Sequence, residues 1–184
     1  MQAQSPYSAS KIGADAIAHA YASSFGIDVA TIRPFNTYGP RQSGRAVIPT
    51  IAGQALFGDR IVLGSLDPVR DFTFVSDTVD GFLRVGSATE AVGGVFNIGS
   101  GQGISVGELA ERILARVGRE VPIEASDERK RPELSEVMRL IADPTRASDL
   151  LGWAPSVSLD EGIDRVLDFL RENAGWTDVE RYEV

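Results

Sequence analysis

The 184-residue chain has no cysteine, a single histidine (His19) and only two lysines, Lys11 and Lys130. Without thiols no disulfide framework can form, and with one imidazole a zinc or iron site lacks its usual ligands. No apolar run approaches the roughly 20 residues of a membrane-spanning helix, and the first residues do not follow the basic-then-apolar order of a secretory signal. A cytoplasmic location is expected. Internal repeats, low-complexity tracts and flexible linkers are also missing. Positive charge is scarce overall. The formal charge of −8 and pI near 4.7 would repel nucleic acid and anionic membrane surfaces, so neither is expected as a partner. Local arginine clusters still suit a small anionic ligand. The 43% hydrophobic, 24% charged composition is that of one compact domain with a sizeable core.

The scarce lysine makes the start of the chain informative. In Ser5-Pro6-Tyr7-Ser8-Ala9-Ser10-Lys11, Ser5 can cap a helix and Pro6 suits its first turn, where an amide hydrogen would have no partner anyway. The pattern predicts a helix to about Phe25. Tyr7 and Lys11, four apart, then share one face. A phenol titrates near 10, but a fixed ammonium beside it favours the phenolate and makes a usable base. Two helix-surface neighbours with no chemistry would give the same spacing. With two lysines and four tyrosines, however, chance supplies only about 0.04 such matches.

Further along, Val29 to Ile32 reads as a buried strand leading into Arg33-Pro34-Phe35-Asn36-Thr37-Tyr38-Gly39-Pro40-Arg41. Loops after strands are where ligands bind in α/β folds. Val47 to Phe57 is predicted helical, Ile61 to Leu63 a strand, and Arg70 to Val75 a strand whose helix opens at Ser76 and Asp77. Arg70 can reach into a cleft or simply pair with Asp67 or Asp71. Val95 to Ile98, the Gly99–Gly103 turn and a helix from Val106 have the layout of a dinucleotide fingerprint, but Ile104 and Val106 stand where its last glycine is required. Ser105 and Glu108 form a capping box that already explains the helix start, so the turn is read as bordering a cleft. Ser126 to Glu133 reads as a charged loop, Leu140 to Ala142 as a short strand, and Asp143-Pro144 as opening a helix that ends near Gly152. Ser158 caps a last helix that carries Ile163, Val166, Leu167 and Leu170 on its core face.

These blocks, from Pro6-Tyr7-Ser8-Ala9-Ser10-Lys11 through Arg33 to Arg41, Arg70-Asp71-Phe72, Asn97-Ile98-Gly99, Arg131-Pro132 and Leu151-Gly152-Trp153, together resemble one family. It is the extended short-chain dehydrogenase/reductase family, in its NAD-dependent nucleotide-sugar epimerases and dehydratases. The likeness is greatest to 4,6-dehydratases acting on UDP-N-acetylglucosamine or dTDP-glucose, with 4-epimerases next. The resemblance implies an α/β fold: the carboxyl-terminal part of a Rossmann-like parallel-sheet domain (residues 1–40) plus a small α/β substrate-binding domain (residues 41–184) with segments that return to the sheet.

It also implies roles. Tyr7 would be the base that takes the proton of the sugar 4-hydroxyl, and Lys11 would lower its pKa and hold the nicotinamide ribose of NAD. Pro34 and Phe35 would border the nicotinamide. Asn36, Arg70 and Arg131 would contact the nucleoside diphosphate, which suits guanidinium forks. Val47, Ile48 and Pro49 would line the base pocket up to Ile51, with Asn97 close by. A dehydratase is a lyase that removes water across carbons 5 and 6; family members commonly form homodimers through the tyrosine helix, where His19 and Tyr21 lie. Members carry a glycine-rich NAD-binding segment and further acid/base residues ahead of the tyrosine, for which the six residues before Tyr7 leave no room. The chain alone is therefore expected to be inactive, a truncated or excised piece with an exposed apolar face. The alternatives kept open are a 4-epimerase, and a non-catalytic nucleotide-sugar-binding lobe or half of a split enzyme.

Overall fold

A computed structural model describes residue 3, residues 5–127 and residues 136–177. Helix α1 (Pro6–Phe25) begins as its sequence predicts. Ser5 adopts an extended backbone, its hydroxyl accepts from the Ser8 amide, the Ser8 hydroxyl returns the favour at the Ser5 amide, and Gly26 ends the helix at φ 65°. Two short parallel pairs follow. Strand β1 (Thr31–Pro34) pairs with β6 (Val95–Ile98), and β2 (Asn36–Tyr38) with β5 (Phe72–Phe74). Strand β3 (Ile61–Leu63) pairs in parallel with β8 (Ile123–Ala125). A fourth, three-stranded arrangement places β4 (Val69–Arg70) between antiparallel β7 (Ile104–Ser105) and parallel β9 (Arg139–Leu140).

Four more helices cover this framework beside α1 and α2 (Val47–Phe57): α3 (Val75–Ser87), α4 (Val106–Val117), α5 (Thr145–Leu151) and α6 (Leu159–Glu172). Two apolar cores result. In the larger, α2, α4 and α6 pack Ile48, Ile51, Leu109, Ile113, Ile163, Val166 and Leu167 against Tyr38, Ile61, Phe72 and Phe74. In the smaller, Phe96 and Ile98 of β6 meet Val85, Ala147 and Trp153. Helix α2 is buried along most of its length, which explains its nearly unbroken apolar sequence. Its last carbonyls are satisfied by Arg119, whose guanidinium donates to the backbone oxygens of Ala55, Leu56 and Gly58. Gln54 on the same helix completes the sheet edge, accepting from the Val62 amide at 2.8 Å.

One glycine sets the spacing of the larger core. Gly162, in the first turns of α6, lies so close to the Tyr38 ring that a Cβ would overlap it, and the same Cβ would press on Phe74. Gly162→Ala gains roughly 1 kcal/mol of helix propensity but forces two aromatic rings from a packed core, which costs about 1–3 kcal/mol. The overlap wins. The variant is expected to melt several degrees below the parent, read by circular dichroism.

Helix α1 is the exception to this packing, since none of its residues is buried. Tyr7, Ile17, Tyr21 and Phe25 are exposed along it, and an ion pair from Asp15 to Arg33 at 2.6 Å ties it to β1. On α3, Val79, Phe82 and Leu83 are exposed as well. The expected apolar face is present. No helix among the described residues is long and apolar enough to cross a membrane.

Candidate active site

A cleft of about 420 Å³ opens where the amino end of α2 meets β2, β4 and the turn after β3. Its walls include Asn36, Thr37, Val47, Ile48, Arg70 and Glu136. No side chain caps the amino end of α2, where Ala46 is in the N-cap position, so the positive end of the helix dipole faces the cleft unneutralised. Arg70 comes from β4 on the opposite wall. Its guanidinium donates to Glu136 at 2.6 Å and to the backbone oxygen of Val69 at 3.0 Å, and both charged side chains are mostly buried, at 13% and 17% exposure. The partner is thus neither Asp67 nor Asp71. Asn36 is held from behind, its amide donating to the Asp71 carbonyl at 2.8 Å.

Asp71 itself is fully buried and organises the adjoining turn. Its carboxylate accepts from the Ser100 amide (2.9 Å) and hydroxyl (2.6 Å), the Gly101 amide (2.9 Å) and the Ala142 amide (3.1 Å). The turn therefore spends the Ser100 and Gly101 amides on an internal anion and the Gln102 amide on the Ser100 hydroxyl, donors that a pyrophosphate cradle would need. Gly101, at φ 73°, supplies the left-handed residue this arrangement needs. The turn borders a second cleft of about 640 Å³, beside Phe72, Thr73 and Arg112. On the polar edge of that cleft Arg112 is paired to Asp160 and Glu108 accepts from Ser105, while the buried Thr73 hydroxyl has no hydrogen-bond partner among the described residues.

Tyr38 also lines the first cleft. Burial, reinforced by the nearby carboxylate of Asp77, pushes its phenol far above the ordinary range, and it donates to the Leu159 carbonyl at 3.3 Å. It is a fixed donor and not a base at neutral pH. Tyr7, by contrast, is 71% exposed on the first turns of α1. The Lys11 ammonium lies over its ring, 5.5 Å from the centroid, so the pair does share a face.

The sequence-derived residues thus fall into groups. Asn36, Val47, Ile48 and Arg70 line one cleft. Pro49 is buried in α2 behind it, and Asn97 is not among its lining residues: its amide donates to the Asp143 carbonyl at 3.2 Å on β6. Pro34 ends β1, and the Phe35 amide continues the ladder to Ile98 at 2.9 Å. Tyr7 and Lys11 stand on α1, and Arg131 lies outside the described residues. Glu136, Gln42 and Arg45 are cleft residues that sequence reasoning missed. Glu136 sits 66 positions from its partner, and no local pattern links the two.

The comparisons identify the family and the fold. Residues 1–166 match the family model described as GDP-mannose 4,6 dehydratase, and the chain belongs to this family of NAD-dependent nucleotide-sugar epimerases and dehydratases. Over 176 residues it is 36% identical to a UDP-glucose 4-epimerase of Mycolicibacterium smegmatis, covering 92% of this chain and 54% of that protein. Over 178 residues it is 34% identical to a dTDP-glucose 4,6-dehydratase of Streptomyces griseus, covering 96% and 53%. Among solved structures, DesIV, a dTDP-glucose 4,6-dehydratase from Streptomyces venezuelae with NAD and TDP bound, superposes with a TM-score of 0.83 at 30% identity, covering 97% of this chain and 54% of that one. The chain spans about half the length of the relatives it matches. The fold is the mixed α/β type with parallel strands shared by these Rossmann-fold enzymes.

Proposed function

We propose that this chain forms the nucleotide-sugar side of an NAD-dependent 4,6-dehydratase acting on a nucleoside-diphosphate hexose. The observation that carries the proposal is Arg70, a mostly buried guanidinium that lines the same 420 Å³ cleft as the uncapped end of α2. A diphosphate would meet a planar fork on one side and a helix dipole on the other. Val47 and Ile48 give an apolar wall for the base, and Asn36 a polar edge. Arg131 is proposed as a further phosphate contact.

NAD fits the described residues only in part. Tyr7 and Lys11 share a face, and Phe35 with Pro34 sits at the end of β1, as a nicotinamide border needs. At the Gly99 to Gly103 turn the Ser100 and Gly101 amides are already taken by Asp71 and the Gln102 amide by the Ser100 hydroxyl, which counts against a pyrophosphate there. When bound, NAD would supply the hydride-acceptor chemistry. Tyr7 would take the proton of the 4-hydroxyl, and Lys11 would favour the phenolate and hold the ribose. Residues 1–40 would then belong to the cofactor domain and the rest mainly to the substrate domain. A 4-epimerase is the second reading, favoured by the 36% identity to one.

Calorimetric titration of the purified chain with UDP-N-acetylglucosamine, dTDP-glucose and NAD tests the proposal. At least one nucleotide sugar is expected to bind and NAD to bind weakly or not at all. Tight NAD binding without sugar-nucleotide binding would overturn it.

A further inference from the structure

The turn from Gly39 to Ala46 supplies Gln42, Arg45 and Ala46 to the cleft, yet it has little regular structure of its own. Arg41, inside it, holds a left-handed backbone at φ 66°, a conformation a non-glycine residue keeps only when its surroundings impose it. The residue after it is fastened locally, by the Gln42 amide donating to the Gly39 carbonyl at 3.3 Å, and by a contact from far along the chain. The Trp176 indole N–H donates to the Gln42 carbonyl at 2.9 Å, a contact across 134 positions. The indole is itself braced edge-on against Phe169 of α6, with ring centroids 5.2 Å apart and planes at 79°.

Thr177 adds a second attachment. It is buried, and its side chain lies so close to Gly53 of α2 that a Cβ there would come within 2.5 Å of the threonine hydroxyl. A Cβ on Gly44 would likewise meet the Trp176 carbonyl at 3.4 Å. Gly44 in turn accepts from the Thr50 hydroxyl at 2.7 Å, coupling the turn to the first turns of α2. On the cleft side, the Gln42 side chain donates to the Thr37 carbonyl at 2.9 Å, while its side-chain Oε1 is buried with no hydrogen-bond partner among the described residues. The cost of that unmet acceptor has to be offset by contacts holding the turn in place.

We infer that Trp176 is a positioning residue for the nucleotide subsite: by fastening the end of the chain onto the Gly39 to Ala46 turn, it fixes the cleft wall that Gln42, Arg45 and Ala46 provide. The inference rests on the nucleotide-sugar reading of the cleft. It adds a determinant of affinity that does not itself line that cleft.

The test compares the parent chain with Trp176→Phe, which keeps an aromatic ring against Phe169 while removing the N–H donor and some of the indole's area. Three quantities are read: affinity for UDP and for dTDP, the thermal midpoint, and the rate at which trypsin cuts after Arg41 and Arg45, followed by mass spectrometry. The expected result is nucleotide affinity weaker by about tenfold and cutting at the two arginines faster by a similar factor, with the midpoint nearly unchanged. A purely structural role would lower the midpoint and leave affinity alone, and that outcome overturns the inference. Equal affinity of parent and variant also overturns it. If the parent binds neither nucleotide, the nucleotide reading itself has failed. Trypsin then decides the attachment separately: equal cutting rates sink it, and faster cutting in the variant sustains it.

Discussion

Asp71→Ala is expected to remove about 4 kcal/mol of stability. The carboxylate is fully buried and receives four donors from two separate segments, Ser100 with Gly101 and Ala142. Each donor left unmet costs about 1–3 kcal/mol when water cannot replace the oxygen, and water reaches the Ser100 side more easily than Ala142. A sum near 4 kcal/mol is a large share of the roughly 5–15 kcal/mol that holds a domain folded. Asp71→Asn keeps one acceptor but turns an amide NH₂ toward two backbone donors, so a loss of about 2–3 kcal/mol is expected. Urea titration followed by circular dichroism measures both. Midpoints within 0.5 M of the parent for the alanine variant would show that the glycine turn does not depend on this carboxylate; a drop of 1–2 M is expected for a typical urea dependence.

The same residue marks where sequence legibility ended. The alternation from Arg70 to Val75 predicts one continuous strand, but the chain makes two, β4 pairing with β7 and β9 and β5 with β2. Asp71 sits at the break because its carboxylate is drawn inward by donors about 30 and 71 positions away, which no local pattern records. Val75 begins α3 and does not extend the strand, a shift of one position from the expected start at Ser76. Strand β8 went unread because Ile123 to Ala125 is short and mostly exposed, with no apolar alternation. By contrast, α1, α2, α4 and α6 were legible almost to the residue, since Ser5, Ser105 and Ser158 cap them by purely local hydrogen bonds and glycines end the first, second and fourth helices in the chain.

The candidate site divides along the same line. Arg70, Asn36, Val47 and Ile48 were singled out together through the family resemblance, and the fold brings them to one cleft. The long-range pairings were not legible, although Asp77 reads in sequence as part of a helix start and Trp153 belongs to one of the family blocks. Glu136 reaches Arg70 from β9's approach, Asp77 anchors Ser156 and Val157, and Trp153 donates to the Asp77 carbonyl from 76 positions away. None of these has a periodicity or spacing to betray it. A buried carboxylate reads in sequence as one more acidic residue among 26.

Arg70→Ala is expected to weaken UDP and dTDP binding by about 10- to 150-fold, the loss that follows from removing charge-assisted hydrogen bonds worth roughly 1.5–3 kcal/mol. Two effects act in the same direction. The variant removes the fork that would hold the diphosphate, and it leaves the Glu136 carboxylate, only 17% exposed, unpaired beside the anion. Arg70→Lys separates geometry from charge: an ammonium keeps the attraction to phosphate and Glu136 but offers no planar pair of donors, so about half of the lost binding free energy should return. Arg70→Ala combined with Glu136→Gln removes the repulsion and should bind a few-fold better than Arg70→Ala alone. Calorimetry gives the affinities, and thermal midpoints taken on the same samples show that each variant is folded. Unchanged affinity in a folded Arg70→Ala chain would mean that the buried guanidinium serves only to neutralise Glu136, and the diphosphate would have to be sought at another surface.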